Sequence, residues 1–166
     1  QCVNSSTTIN NDTKPKILSM DIETFSDIDL GKCGVYKYSE SPNFEILLLA
    51  YAFDDEPVKI VDMACGESIP SDVLEAIDNP EITKVAYNAQ FERVCIGSYL
   101  GKTLNPESWE CTMVQASFLT LPFSLESCAQ VLKTGAQKDK AGKDLIKYFS
   151  IPCRPTRANG GRTRNL

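Results

Sequence analysis

Apolar residues cluster along the chain in runs that predict its elements. The run at Ile17–Thr24 predicts a first strand, and "FEILLLAYAF" at Phe44–Phe53 predicts a second that ends at the acidic turn "DDEP". Val58–Met63 follows closely enough to form a hairpin with it. "SIPSDVLEAIDNP" predicts a short helix with Ser71 or Asp72 as N-cap and Pro80 beyond its end. "ITKVAYN" is another β-type run, and "AQFERVCIGSYLG" has helical spacing with Gly101 as its stop. A short strand around Trp109–Thr112 leads into "MVQASFL", and two more helices are predicted over Ser124–Lys133 and Ala141–Phe149. "IPCRPTRANGGRTRNL" has the Pro and Gly content of a loop. Three strands followed by alternating helices and strands predict an α/β fold, a mixed sheet with helices on its faces.

Composition narrows the chemistry. At 166 residues the chain suits one domain with its own core, and its start, residues 1–15, reads as a polar, disordered arm. No apolar run approaches the ~18 residues of a membrane span. That start has no apolar core of the signal-peptide kind, and the seven scattered cysteines include no C-x-x-C pair; both point to reduced thiols in a cytosol, most of them small core residues. The chain contains no histidine, which removes Ser-His-Asp and Cys-His catalysis and histidine-based zinc sites. Residues 138–166 carry eight Lys/Arg against two Asp, a net of +6 in a chain totalling −5, so the remainder carries −11. An acidic body with a basic end suits metal binding at one place and phosphate contact at another; a solvated tail is the plainer reading.

Two groups of carboxylates stand out. Asp21 and Glu23 close the first strand, and residues two apart in a strand project to one face. Two ionised carboxylates sharing a face repel unless a cation lies between them, and Mg²⁺ takes such oxygen ligands. The alternative is a strand end fraying into water. The second group is "VAYNAQFER", with Asn88 ending a strand and Glu92 in the first turn of the following helix. Glu92 can face the carboxyl end of the sheet, or simply place negative charge near a helix N-terminus.

Together, D-x-E on a first strand and N-x-x-F-E at a later strand-to-helix junction resemble the DnaQ-like 3′–5′ exonucleases of the ribonuclease H-like fold, and more narrowly the exonuclease part of phage and prophage family A DNA polymerases. The resemblance extends to "DLGKCGVYKYSESPNFEILLLAY", "WECTMVQASFLTLPFSL", "QKDKAGKDLIKYFSIPC" and "ANGGRTRN", covering nearly all of residues 16–166. It implies a ribonuclease H-like mixed five-stranded sheet with helices on both faces. Asp21, Glu23 and Glu92 would be the catalytic acids and would hold two divalent ions, Mg²⁺ or Mn²⁺. Thr24 and Phe25 would lie beside the 3′-terminal nucleotide, and Asn88 and Phe91 complete the second motif. Glu92 departs from the usual aspartate by one methylene. The third motif, an aspartate with a preceding tyrosine or histidine, has no acceptable match, so the chain reads as ending before it.

The implied reaction is two-metal hydrolysis at the 3′ end of single-stranded DNA, releasing nucleoside monophosphates in a bacterial or phage-infected cytosol. A polymerase domain is expected C-terminal to this region, and no membrane is involved. In that setting Lys143, Arg162 and Arg164 in the basic segment would contact phosphates. Two other readings stay open: an exonuclease-like module that only binds or positions DNA, and an acidic surface that binds a basic protein.

Overall fold

The computed structural model describes residues 15–135, 142–158, 160 and 161. Residues 1–14 of the arm expected at 1–15, with Arg162 and Arg164, lie outside the described residues. Five strands, β1 (Ile17–Phe25), β2 (Glu45–Phe53), β3 (Lys59–Asp62), β4 (Thr83–Ala86) and β5 (Trp109–Cys111), form one sheet in the order β3-β2-β1-β4-β5. β2 is antiparallel to β1 and β3, whereas β4 and β5 run parallel to their neighbours, so the sheet is mixed as expected. The helices are α1 (Leu30–Ser39), α2 (Ser71–Asp78), α3 (Gln90–Tyr99), α4 (Thr112–Phe118), α5 (Leu125–Leu132) and α6 (Gly142–Phe149).

β1 is central because alternate residues can serve two environments. Leu18, Met20 and Ile22 face a core that also takes Leu49, Tyr51 and Phe53 of β2, Val73, Ala76 and Ile77 of α2, and Cys95 and Ile96 of α3. The intervening positions, Ile17, Asp21 and Glu23, are exposed on the opposite face. The alternation in β2 is interrupted: Glu23 pairs with Leu48 but Thr24 pairs with Ile46, leaving Leu47 as an additional residue. This bulge lets Ile46 and Leu47 both be buried, and it sharpens the local twist beside Glu23.

Several sequence expectations need correction. The excursion between β1 and β2 contains a helix, α1, that the apolar pattern did not signal. It starts at Asp29, whose side chain accepts from Gly31 N–H, and it is broken at Gly34 (φ 74°, ψ 169°), a backbone region essentially restricted to glycine. "MVQASFL" is likewise helical, as α4. The N-cap of α2 is Pro70, with no side-chain cap; Ser71 already lies in the helix, and the Asp72 carboxylate accepts from Val73 N–H. Gly101 does end α3, in a left-handed conformation with φ 66° and its N–H on Ser98 C=O. Gly97 within α3 has a packing reason: a Cβ there would stand 2.7 Å from the carbonyl of Lys102. Among the described cysteines, Cys95 and Cys128 are buried but Cys33 and Cys65 are exposed, so core filling accounts for only part of the set.

α1 is held against α3 by Ser98 Oγ donating to Ser39 Oγ at 2.9 Å. α2 and β4 are joined by Lys84, whose ammonium donates to the Asn79 carbonyl at the end of α2 at 2.7 Å. No helix among the described residues is long and apolar enough to cross a membrane.

Candidate functional site

The carboxyl end of β1 opens into a cleft of about 550 Å³. Its walls come from Ile22, Glu23 and Thr24 of β1, Leu30 and Tyr38 of α1, and Phe91 of α3, with Ile146 and Ile151 at and just beyond α6. Ligands of open α/β sheets bind at this end of parallel strands, and the volume lies in the usual range for a small-molecule pocket. The wall is mostly apolar, and Glu23, Thr24 and Asp27 supply polar groups along one side.

Three of the expected residues therefore meet: Glu23, Thr24 and Phe91 line one cleft. Phe91 is half-buried, and its ring lies 6.1 Å from that of Tyr38 at a 41° tilt. Phe25, expected beside the substrate, is instead 3% exposed and outside the cleft lining. The bulge supplies the reason: past Glu23 the strand no longer alternates, and Thr24 and Phe25 are both buried. Asn88 is exposed and adopts φ 72°, with its carbonyl accepting Phe91 N–H at 2.8 Å. Asparagine tolerates this left-handed turn better than most residues, so its identity is accounted for by the β4-to-α3 corner. Lys143 falls in the first turn of α6, while Arg154 and Arg157 beyond it are exposed.

Glu92 is the most unusual group. It lies in the first turn of α3 and is 3% exposed, and its Oε2 has no hydrogen-bond partner. Burial pushes its carboxyl from an ordinary 4.5 up to about 8; its own backbone N–H opposes this, and the negative charge of Asp21 adds to it. Asp21 therefore lies close enough for the two carboxylates to repel. Three helical residues on, burial raises the Cys95 thiol to about 12, with Glu92 adding, so the thiol is no nucleophile at neutral pH.

The donor chemistry of Asp21 and Glu92 fits a divalent cation: two oxygen-only side chains that repel, one of them buried with an unsatisfied oxygen. No group of three or more His, Cys, Asp or Glu side chains that could hold a metal is found among the described residues. Glu92 is buried, whereas Asp21 and Glu23 are exposed on the strand.

Sequence reasoning missed Tyr38, Leu30, Ile146 and Ile151. Tyr38 is buried; burial raises its phenol above the ordinary value, an opposing hydrogen bond with Thr24 lowers it, and Cys95 and Glu23 add smaller upward contributions. A start signal for its helix did exist, in Asp29 followed by Leu30.

No family model matches the chain. A DNA polymerase of Bacillus phage SP02 is 58% identical over 151 residues, which is 91% of this chain and 23% of that protein. The chain thus spans about a quarter of the curated relative's length. Among solved structures, Brucella melitensis NrnC with bound Mg²⁺ superposes with a TM-score of 0.55 at 13% identity, covering 78% of this chain and 60% of NrnC. Escherichia coli RNase D, an exoribonuclease involved in structured RNA processing, gives 0.55 at 18% identity, covering 78% and 30%. At these identities the likeness speaks for the fold.

Proposed function

We propose, from the premise that this chain is homologous to one segment of a phage DNA polymerase and has the ribonuclease H-like fold of the DnaQ-like exonucleases, that it is a proofreading-type 3′–5′ exonuclease domain. Its substrate is the 3′ end of a DNA strand, its products are nucleoside monophosphates, and a polymerase domain is its partner in the same protein. The observation that carries this reading is Glu92, a buried carboxylate with an unsatisfied oxygen, set against Asp21 in the middle of β1.

The terminal nucleotide enters the cleft between β1, α1 and α6. Apolar walls from Ile22, Phe91 and Ile146 exclude water from one side of it, and Glu23 presents carboxylate oxygens to its sugar, while the buried Thr24 hydroxyl is taken by Tyr38. Asp21, Glu23 and Glu92 would hold divalent metal, Mg²⁺ or Mn²⁺, which would supply a low-pKa water and charge stabilisation for the leaving oxygen. Arg154 and Arg157, with Lys143, Arg162 and Arg164 of the same basic segment, neutralise phosphates upstream of the terminus.

A second reading is a domain that binds DNA without cutting it. The observation favouring it is that no three potential ligands gather among the described residues. Digestion of a 3′-labelled single strand in Mn²⁺ by the chain and by its Asp21→Asn variant separates the two. Stepwise shortening lost in the variant supports the exonuclease. Binding of the strand by both proteins with no shortening by either supports the binding module.

A further inference from the structure

We propose that Tyr38 is a positioning residue that fixes the carboxyl end of β1, and with it Glu23, in the geometry the cleft requires; this rests on the exonuclease reading above. Tyr38 contributes to the cleft wall, but its hydroxyl is engaged with Thr24 of the strand. It acts through the strand.

The end of β1 needs such a support. The ladder between β1 and β2 shifts register between Glu23 and Thr24, where Leu47 has no partner across the pair. A bulge leaves one residue unpaired and disrupts the ladder locally, so β1 has less backbone pairing here than over Leu18–Glu23. Side-chain bonds from α1 cover that interruption. The Tyr38 hydroxyl lies 2.9 Å from Thr24 Oγ1, the residue immediately after Glu23, and Ser26 Oγ donates to the Tyr38 carbonyl at 2.9 Å. Both bonds are buried, where losing one partner leaves the other group desolvated and unsatisfied.

The tyrosine ring is itself held from two further elements. It meets Phe44, just before β2, edge-to-face at 5.8 Å, and Phe91 of α3 at 6.1 Å. One side chain thus ties the end of β1 to the approach to β2 and to the helix that carries Glu92. Phenylalanine at this position keeps the ring contacts and removes only the bond to Thr24.

The test combines amide hydrogen exchange with kinetics on the whole chain. In Tyr38→Phe the amides of Thr24, Phe25 and Ser26 are expected to exchange about tenfold faster, while Leu18–Ile22 keep their protection. On a 3′-labelled strand in Mn²⁺, kcat is expected to fall about tenfold with KM within twofold. Thr24→Val should cost a similar factor in kcat, and the double variant no more than either single one, because both remove the same bond. General loosening of the fold would instead raise exchange throughout β1 and change the melting temperature. Unchanged protection at Thr24–Ser26 overturns the proposal, as does a normal kcat in Tyr38→Phe or a double variant whose losses multiply. If the unmodified chain shows no Asp21-dependent cleavage, the exonuclease reading fails, and the exchange result alone decides whether the clamp exists.

Discussion

Lys84 and Glu92 lie on one strand-turn-helix unit and are equally hidden, at 1% and 3% exposure. Lys84 stands near the start of β4 and Glu92 in the first turn of α3, at opposite ends of the connection. Burial pushes both toward their neutral forms: Lys84 below the ordinary lysine value, with Asp78 partly offsetting this, and Glu92 up to about 8. Their surroundings differ. The Lys84 ammonium ends on the Asn79 carbonyl, an acceptor at the negative end of α2. Glu92 has an oxygen with no acceptable donor and a second carboxylate, Asp21, near it. A buried charge with a partner built for it belongs to the scaffold; one held against its electrostatics marks a place where something else binds.

Breaking the Glu92 side should show first in catalysis. Glu92→Gln keeps the volume and removes the charge, and the rate of 3′-end digestion in Mn²⁺ is expected to fall at least about a hundredfold. A rate within a few-fold of the parent would remove Glu92 from the site.

Stability without metal should carry the same signature. Glu92 titrates at about 8 when folded against an ordinary 4.5, so the folded state binds the proton more tightly. Its contribution, on the order of 5 kcal/mol in full, is present below about pH 4.5 and is lost as pH rises through about 8. Urea unfolding in EDTA at pH 5 and pH 8 reads this difference, and Glu92→Gln should flatten it. Added Mn²⁺ should restore stability at pH 8 in the parent and less in the variant.

Lys84 gives the contrasting result. Lys84→Ala is expected to cost about 2 kcal/mol, since its stem fills the core and its ammonium satisfies Asn79. Between pH 5 and 8 that cost should stay constant, because the lowered lysine titration gives stability that grows only as pH climbs toward its ordinary 10.5. A cost that varied across this window would erase the distinction. The smallest effect belongs to the exposed Lys102–Asp78 pair at 2.6 Å: Lys102→Ala should change unfolding free energy by less than about 1 kcal/mol, and less still in high salt.

Much of this was legible in the sequence. β1 and β2 were readable as long apolar runs, and Gly101 marked the end of α3 because a left-handed residue was needed there. Asp21, Glu23 and Glu92 were visible as acids placed where strands and helices meet. Helix α1 was not readable because Gly31 and Gly34 in ten residues depress helix propensity, and its two halves join through a non-helical residue. Tyr38 was hidden with it. The bulge at Leu47 left no trace, since three consecutive leucines look alike whichever way they face. That Phe25 turns inward follows from this bulge, a tertiary fact. Lys84 was equally opaque, because a lysine in a short strand reads as outward-facing until the carbonyl it reaches is seen.

The break at Gly34 divides the labour of α1. The half before it carries Leu30 and reaches the cleft rim, whereas the half after it carries Tyr38 and is tied to the sheet. A helix continuous through this point would transmit every change at the rim to the strand beneath. Interrupted there, the chain has an adjustable margin beside a fixed seat. A replacement at Leu30 can therefore reshape the rim of the cleft while the strand beneath it keeps its place.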